Sequence, residues 1–473
     1  MIDASIVSNC HSVFNIVNVN HTFFSFTQKI RFLPLFYFFS LCTVVVLQFA
    51  QYFFNSKRSV VFFLFFSCKQ VETGHVTVIH LQPNEKSILK VSDYFNRVEA
   101  VLLRDTFFFG VEDFIEGADK YIVLASDHPG LMQGKDRYYV FDKEGYFRNC
   151  IGTVGRGTGE YREIRNGLQM GEDSLLKIID INKYLSYSLD GKVMQESALF
   201  SAENKTPIHT SPRYLWKDSL VVFEGYSVVT DNPAMLRAAK QDSSCFCEIY
   251  ALKRNELIHS YFPKKEAAEF YVTNLEYVYQ DTFCYYYGLD RTIYQLLPGE
   301  KKVRYRFDMG KYNRLQTMID FYEEQKSGVL HEYLSLSMCN ETDGYVIGKY
   351  DFKAKEYIFI YDKRTGITGN FRRIDNDLLK TGQKNGAKYF TWKRGLVFKQ
   401  GYLWGVYSYD WIEMIDQVKS QLSAEEWKTY CEEHPDFIRI YDILVKDKRN
   451  KDSEDYQGEN DDEKVVILKY YFK

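Results

Sequence analysis

One short pattern recurs six times between residues 141 and 446: an aromatic residue closing an apolar run, then a turn that in five of the six carries Gly or Asn, then a second run. It reads Phe141-Asp-Lys-Glu-Gly145, Tyr187-Ser-Leu-Asp-Gly191, Tyr250-Ala-Leu-Lys-Arg-Asn255, Tyr294-Gln-Leu-Leu-Pro-Gly299, Tyr361-Asp-Lys-Arg-Thr-Gly366 and, more loosely, Tyr441-Asp-Ile-Leu-Val-Lys446. Gly and Asn tolerate the positive φ that a tight hairpin needs, so each unit reads as strand–turn–strand. Successive units start 46, 63, 44, 67 and 80 residues apart. A period of about 40–50 residues, lengthened by insertions, is the spacing of four-stranded propeller blades. The reading is an all-β fold, a six-bladed β-propeller with a few short helical insertions, over residues 76–473. The last run, Lys464 to Phe472, could close the ring by pairing with a strand near 76–81, which would remove two exposed sheet edges.

Composition agrees. Aromatics are 17% of the chain, with 38 Tyr and 37 Phe, and flat rings suit a pleated, half-buried surface. The net charge is only −3 and no basic stripe stands out, so nothing supports nucleic-acid binding. None of the nine cysteines forms a CxxC pair, and buried free thiols are expected in the body of the protein, with a long-range disulfide as the alternative in an oxidising compartment. Cys245 and Cys247, two apart in a strand, should face the same side.

Residues 1–68 read as an apolar leader. The run 32–54 is long enough to span a bilayer, and a basic segment then precedes a second apolar run, 60–66, and Ser67-Cys68. The second part has the layout of a signal peptide, and a small residue before Cys resembles the lipobox of bacterial lipoproteins. By that resemblance Cys68 would carry the lipid, and 69–75 would be a linker. Two alternatives stay open for the first 50 residues: a mis-set start or unusual leader, or a true transmembrane anchor. Both place the body outside the cytoplasm, in the cell envelope, facing the periplasm or the cell surface.

Helical spacing interrupts the β pattern within 313–327 (Leu315, Met318, Ile319, Tyr322) and from Trp411 to Leu422. Ser423-Ala-Glu-Glu426 then offers a capping box for a helix to about Glu433, and Ala234 to Lys240 is a third candidate region. Asp452 to Glu463 is acidic, reads as a solvated loop, and lacks the residue order of a calcium loop.

The most distinctive segment is Ile151-Gly-Thr-Val-Gly-Arg-Gly-Thr-Gly-Glu-Tyr161. Its glycines suit a sharp turn between one blade and the next. A phosphate cradle is disfavoured: the Walker Gly-Lys-Ser/Thr is absent, and the residues that follow read as strand, not helix. The segment resembles the Gly-x-x-Gly-x-Gly-Pro-Gly-Glu-Tyr loop of a family of bacterial six-bladed propeller lipoproteins akin to NHL and TolB propellers. Gly152, Gly155, Arg156, Gly157, Gly159, Glu160 and Tyr161 carry the match, and Thr158 stands where that family has Pro. The resemblance implies fold and envelope location, not an activity. Within the loop, Arg156 and Glu160 are expected to pair and Tyr161 to pack between blades.

No catalytic motif emerges. His331-Glu332 begins like a zincin helix, but position 335 is Ser; no Gly-x-Ser-x-Gly elbow occurs. No catalytic residue, metal ligand or cofactor is therefore nominated. The expected function is a non-catalytic binding or scaffold propeller on the envelope, attached to the membrane by lipid or apolar segment, with a glycan or protein as ligand. The rival is an extracytoplasmic lyase or hydrolase acting at the propeller channel.

Overall fold

The computed structural model describes residues 76–473, apart from 105–109, 118, 127–135, 165–168, 172, 181–182, 199–209, 217–218, 226–232, 252–255, 329–331, 381–401, 408–409 and 452–463. The leader, Cys68, the linker and the acidic loop thus lie outside the described residues.

Short runs rich in Val, Ile, Tyr and Phe, broken by turn residues, form antiparallel sheets in chain order. Sheet A comprises Gly110–Gly117, Lys120–Ser126, Asp136–Asp142 and Phe147–Ile151; sheet B comprises Gln169–Met170, Leu176–Ile179, Lys183–Tyr187 and Val193–Ala198. Sheet C is built from Thr210–Trp216, Leu220–Gly225, Cys245–Ala251 and Glu256–Pro263. Sheet D is built from Leu275–Tyr279, Thr282–Tyr287, Thr292–Leu297 and Glu300–Asp308. Sheet E follows with Leu334–Glu341, Tyr345–Phe352, Lys355–Asp362 and Ile367–Phe371. Sheet F joins the two ends of the chain: Tyr402–Tyr407 pairs with Val465–Phe472, which pairs with Phe95–Leu103.

Each sheet is apolar on both faces and packs between two others. Sheets A and B meet through Ile122, Tyr138, Leu176 and Leu185, and B meets C through Ile179, Tyr184, Val221 and Phe223. Trp216 and Phe246 meet Val278 and Phe283 between C and D, and Tyr277 and Phe307 meet Val346 and Phe359 between D and E. Ile347 and Ile358 meet Leu403 and Leu468 between E and F. The circle closes where Val101, Trp404 and Ile467 of F meet Val123, Tyr139 and Phe141 of A.

The last strand shows how the sequence serves two interfaces at once. Val466, Leu468 and Tyr470 face sheet E, while Val465, Ile467 and Tyr471 face sheet A, as the period of two requires. Its outer edge is taken by Phe95–Leu103 and not by 76–81. The earlier segment instead adds to other sheets. Thr77–His80 runs parallel to Glu300–Asp308 on sheet D, where Ile79 and Leu81 are fully buried; Ile88–Lys90 pairs in parallel with Arg373–Asp375. Asn370 stitches this strap down. Its amide oxygen accepts from Gln82 N (3.1 Å) and the Tyr350 hydroxyl (3.0 Å), and its amide nitrogen donates to His80 O (3.1 Å).

Five of the six recurring turns join the third and fourth strands of sheets A to E. The sixth differs: Tyr441–Lys446 lies in a helix, and no such turn joins Val465–Phe472 to Phe95–Leu103 in sheet F because these two strands are far apart in the chain. The helices are α1 (Val91–Tyr94), α2 (Pro233–Ala239), α3 (Met318–Ser327), α4 (Asp410–Gln421), α5 (Ala424–Glu433) and α6 (Pro435–Lys451). Capping boxes at Thr317 and Ser423 start α3 and α5. Phe437, Ile440 and Leu444 put the apolar face of α6 against the E–F core together with Trp411 and Ile415 of α4. Among the described residues no helix is long and apolar enough to cross a membrane. Cys150, Cys245, Cys247, Cys284, Cys339 and Cys431 are free thiols, four of them buried.

Ile467 sits at the seam that closes the ring and is fully buried. Ile467→Ala should lower the unfolding free energy by about 2–5 kcal/mol, the usual cost of such a cavity, measured by denaturant titration. A cost below about 0.5 kcal/mol, typical of a surface position, would contradict the packed seam.

Candidate functional site

Alternating strand direction gives the ring two unlike ends. At one end lie the turns joining strands one to two and three to four. At the other lie the turns joining strands two to three and the crossovers between sheets. Val465 pairs with Leu103, just before the crossover into sheet A, so α4–α6 sit at the crossover end too, as do α2 and α3.

The glycine loop is the crossover from A to B, lying against the last two strands of B. Gly152 has φ 73°, and a Cβ there would stand 2.7 Å from the Tyr161 ring, so both conformation and space call for glycine. Tyr161 is fully buried in the A–B core. The Glu160 carboxylate accepts from Gly157 N at 2.6 Å and does not pair with Arg156, which is exposed. Gly159 N donates to Glu196 (2.6 Å), Lys183 donates to Gly157 O (3.0 Å), and the Tyr187 hydroxyl donates to Gly159 O (2.7 Å). Gly155 folds over the Glu160 carboxylate. Every one of these contacts fixes the loop to itself or to sheet B.

At the turn end, charge is locked into the interfaces. Glu341, whose side chain is fully buried at the end of the first strand of E, accepts from Arg304 at 2.7 and 2.6 Å, from Tyr305 at 2.7 Å and from Tyr277 at 3.1 Å, and pairs with Lys363 at 2.6 Å. Lys363 belongs to the recurring turn 361–366. The same arrangement recurs in sheet A: Glu116 pairs with Lys143 of the turn 141–145 and with Lys469 from sheet F at 3.0 Å. Lys469 also meets Glu99 (3.3 Å) and lies within 6 Å of the Tyr121, Tyr402 and Tyr471 ring centres. Burial would raise both glutamates, but the surrounding donors and cations outweigh it and hold both carboxyls below their ordinary value.

The crossover end has a different character between sheets D and E. There a pocket of about 30 Å³ opens on the surface. One wall is the approach to the first strand of D, Tyr271 to Thr273, tied to the next crossover by Tyr271 N donating to Gln316 O (2.9 Å) and by the Phe270–Thr317 bridge. A second wall is the turn 288–291. Gly288 approaches Thr273 so closely that a Cβ would stand 2.3 Å from its carbonyl oxygen, and Asn274 accepts from Gly288 N at 3.1 Å. The third is the start of sheet E, where Thr273 donates to Leu336 O at 3.0 Å. Tyr271 stacks on Phe321 of α3, ring centres 4.2 Å apart.

Arg291, Tyr286, Arg314 and Tyr333 bring chemistry to this pocket. Arg314 pairs with Asp320 (3.3 Å) and lies 5.6 Å from the Tyr333 ring centre, and the Tyr333 hydroxyl donates to Asp320 at 2.7 Å. Burial and that carboxylate push the Tyr333 phenol up to about 12. The Arg291 guanidinium has no carboxylate partner among the described residues, and burial lowers its affinity for its proton below the ordinary value. Tyr286 is 2% exposed, burial raises its phenol, and its hydroxyl makes no hydrogen bond to a described residue. Sequence spacing could not nominate these residues: Tyr286 and Arg291 come from one hairpin of sheet D, and Arg314 and Tyr333 from opposite ends of the D–E crossover. The one local signal is Gly288-Leu-Asp-Arg291, a turn before a Thr-Ile-Tyr strand. Among the described residues no group of His, Cys, Asp and Glu is placed to hold a metal ion.

Glu341→Gln keeps the side-chain shape but leaves Arg304 and Lys363 without their counter-charge, and should cost roughly 3 kcal/mol. Because the folded carboxyl lies below its unfolded value, the stabilisation is complete above about pH 4.5 and is lost as pH falls through the folded value. The variant should therefore show a shallower loss of stability on acidification than the parent, measured by thermal melts from pH 7 to 3. Equal slopes would remove Glu341 from the account.

The arrangement of the sheets is that of a β-propeller, and the chain is similar to several known structures. An exported-protein candidate from Bacteroides fragilis is 18% identical, with a TM-score of 0.53 over 83% of this chain and 99% of its own. A DUF4221 family member from Bacteroides vulgatus is 11% identical, with a TM-score of 0.41, covering 61% of this chain and 88% of its own. The propeller domain of the Trilobed protease from Pyrococcus furiosus is 10% identical, with a TM-score of 0.30, covering 63% and 91%. No curated protein matches the chain. A family model matches residues 76–467, most of the chain, and on that match the protein belongs to the family described as a domain of unknown function, DUF4934.

Proposed function

We propose that this protein is a non-catalytic binding or scaffold propeller of six blades on the cell envelope, held to the membrane through a lipid on Cys68, with a glycan or protein as its ligand. The six-blade reading is supported by the six interfaces that run from sheet to sheet and return to the start. An envelope location is supported by the leader and lipobox-like Cys68 and by the description of the Bacteroides fragilis relative as an export candidate.

The observation that carries the binding reading is the asymmetry between the two ends. Interior acids and bases at the turn end neutralise one another across sheet interfaces. The crossover end carries the helical insertions and a surface pocket whose guanidinium and phenol are unpaired. Loops on a rigid scaffold are where proteins place recognition. Glycan-array and pull-down experiments on the full-length protein should identify a ligand, and crossover-end substitutions should weaken its binding. Turnover of a polysaccharide or peptide with no stable ligand would instead favour an extracytoplasmic lyase or hydrolase. Intact-mass analysis of the native protein should give a chain starting at Cys68 with added lipid mass, abolished by Cys68→Ser; retention of residues before 68 would refute the anchor.

A further inference from the structure

The pocket between sheets D and E has donors and no matching acceptor, and this points to a ligand class. The partly buried cations Arg304, Lys363 and Lys469 each contact a carboxylate. Arg291 does not, although Asp290 is its neighbour in sequence. The Asp290 carboxylate instead accepts from Thr292 N (3.1 Å) and from the Tyr294 hydroxyl. Arg291 itself has a φ of 55°, a conformation unfavourable for a side chain with a Cβ, and its carbonyl accepts from Phe307 N at 2.9 Å. The backbone is thus held in a strained turn that carries the guanidinium into the pocket wall, separated from its neighbouring acid.

A partly buried guanidinium favours a counter-charge, and the Tyr286 hydroxyl, on a buried ring but open to the pocket, can donate to an acceptor seated there. An acceptor-only group satisfies both: a carboxylate takes the planar fork of an arginine through two oxygens and a phenolic O–H through a remaining lone pair. The charge count favours a monoanion. Arg314 is neutralised by Asp320, so Arg291 supplies the one uncompensated positive charge, and Asp320 would repel a second negative charge. The volume of about 30 Å³ admits a group the size of a carboxylate and leaves the remainder of a ligand on the rim. That rim carries the Thr273 and Ser335 hydroxyls, 3.3 Å apart, and the Tyr271 and Tyr333 rings, a surface suited to the hydroxyls and C–H faces of a sugar ring.

We propose that the pocket is a carboxylate-binding site that seats the acid group of a uronic-acid saccharide, with Arg291 and Tyr286 as its donors. The inference rests on the glycan-binding reading and specifies the residue class of the glycan. The test uses full-length protein and isothermal titration with tri-galacturonate, neutral tri-galactose, acetate and sulfate. Tri-galacturonate should bind, neutral tri-galactose should bind at least tenfold more weakly, and acetate should compete better than sulfate. Arg291→Gln should weaken tri-galacturonate at least tenfold. Arg291→Lys, which keeps charge without the fork, should fall between parent and Gln, and Tyr286→Phe should lose several-fold. Thermal melts of each variant separate lost binding from lost folding, and Arg291→Lys and Tyr286→Phe keep the test informative if Arg291→Gln fails to fold.

Equal binding of the acidic and neutral trisaccharides, or undiminished binding by a folded Arg291→Gln, would overturn the proposal. Stronger competition by sulfate than by acetate would overturn the carboxylate assignment. If tri-galacturonate does not bind while the array yields a neutral glycan, or the pull-down a protein, this inference falls and the binding reading stands. An empty array and pull-down would remove both.

Discussion

The pairing of Val465–Phe472 with Phe95–Leu103 is the interaction on which the architecture depends. It joins residues more than 360 positions apart, so its closure carries the largest chain-entropy cost of any strand pair in the ring. Both faces of the last strand are apolar. Val466, Leu468 and Tyr470 bury against sheet E while Ile467 buries against sheet A. Without that strand two interfaces would open together, and sheets A and E would each expose an apolar face. The strap 77–90 adds to the closure by running from sheet D past sheet E before the chain enters sheet F. It lays Thr77–His80 on the edge of sheet D and Ile88–Lys90 against Arg373–Asp375, and the Asn370 side chain ties the chain between them through Gln82 N and His80 O.

Polar chemistry is distributed around this frame by strand direction. At the turn end the recurring Asp-Lys turn places a lysine beside a glutamate from the first strand of the same sheet, and the neighbouring sheet supplies a second cation. Glu116 with Lys143 and Lys469, and Glu341 with Lys363 and Arg304, are two copies of one device. Each is buried enough that loss of one partner would leave a costly uncompensated charge, so these groups bind sheets together and are not free to act on a ligand. At the crossover end the connections are longer and carry helices. There the chain can hold Arg291 away from Asp290 because the hydrogen bonds of sheet D fix the turn on both sides.

Much of the fold was legible in the sequence because its signals are local. The turns at 141, 187, 250, 294 and 361 each mark the third-to-fourth strand hairpin of a sheet, and the capping box at Ser423 starts a helix where it should. Two readings failed for a common reason. The Tyr441–Lys446 unit has the aromatic-Asp beginning of a hairpin but lacks a residue suited to positive φ, and the i, i+3, i+7 spacing of Phe437, Ile440 and Leu444 takes it into a helix. Pairing 76–81 with the last strand would also remove two exposed edges, so edge removal alone does not select the partner; packing does, and Phe95–Leu103 buries three consecutive residues there where 77–80 buries one. The candidate pocket was not legible. Tyr286 and Arg291 come from one hairpin of sheet D, Arg314 and Tyr333 from the two ends of the D–E crossover, and only the packing of sheet D against sheet E brings them together. The glycine loop was visible for the opposite reason: its constraints are steric and contiguous, with Gly152 set against Tyr161 and Gly155 against Glu160.

Hydrogen–deuterium exchange across the seam tests the ring most directly. If the two ends of the chain close it, the amides of 95–103 and 465–472 exchange as slowly as those of Tyr345–Phe352 and Lys355–Asp362 in sheet E, and all lose protection together as denaturant is added. Rapid exchange of 95–103 and 465–472 while sheet E stays protected would mean that the ends do not hold the ring shut, and would contradict the account.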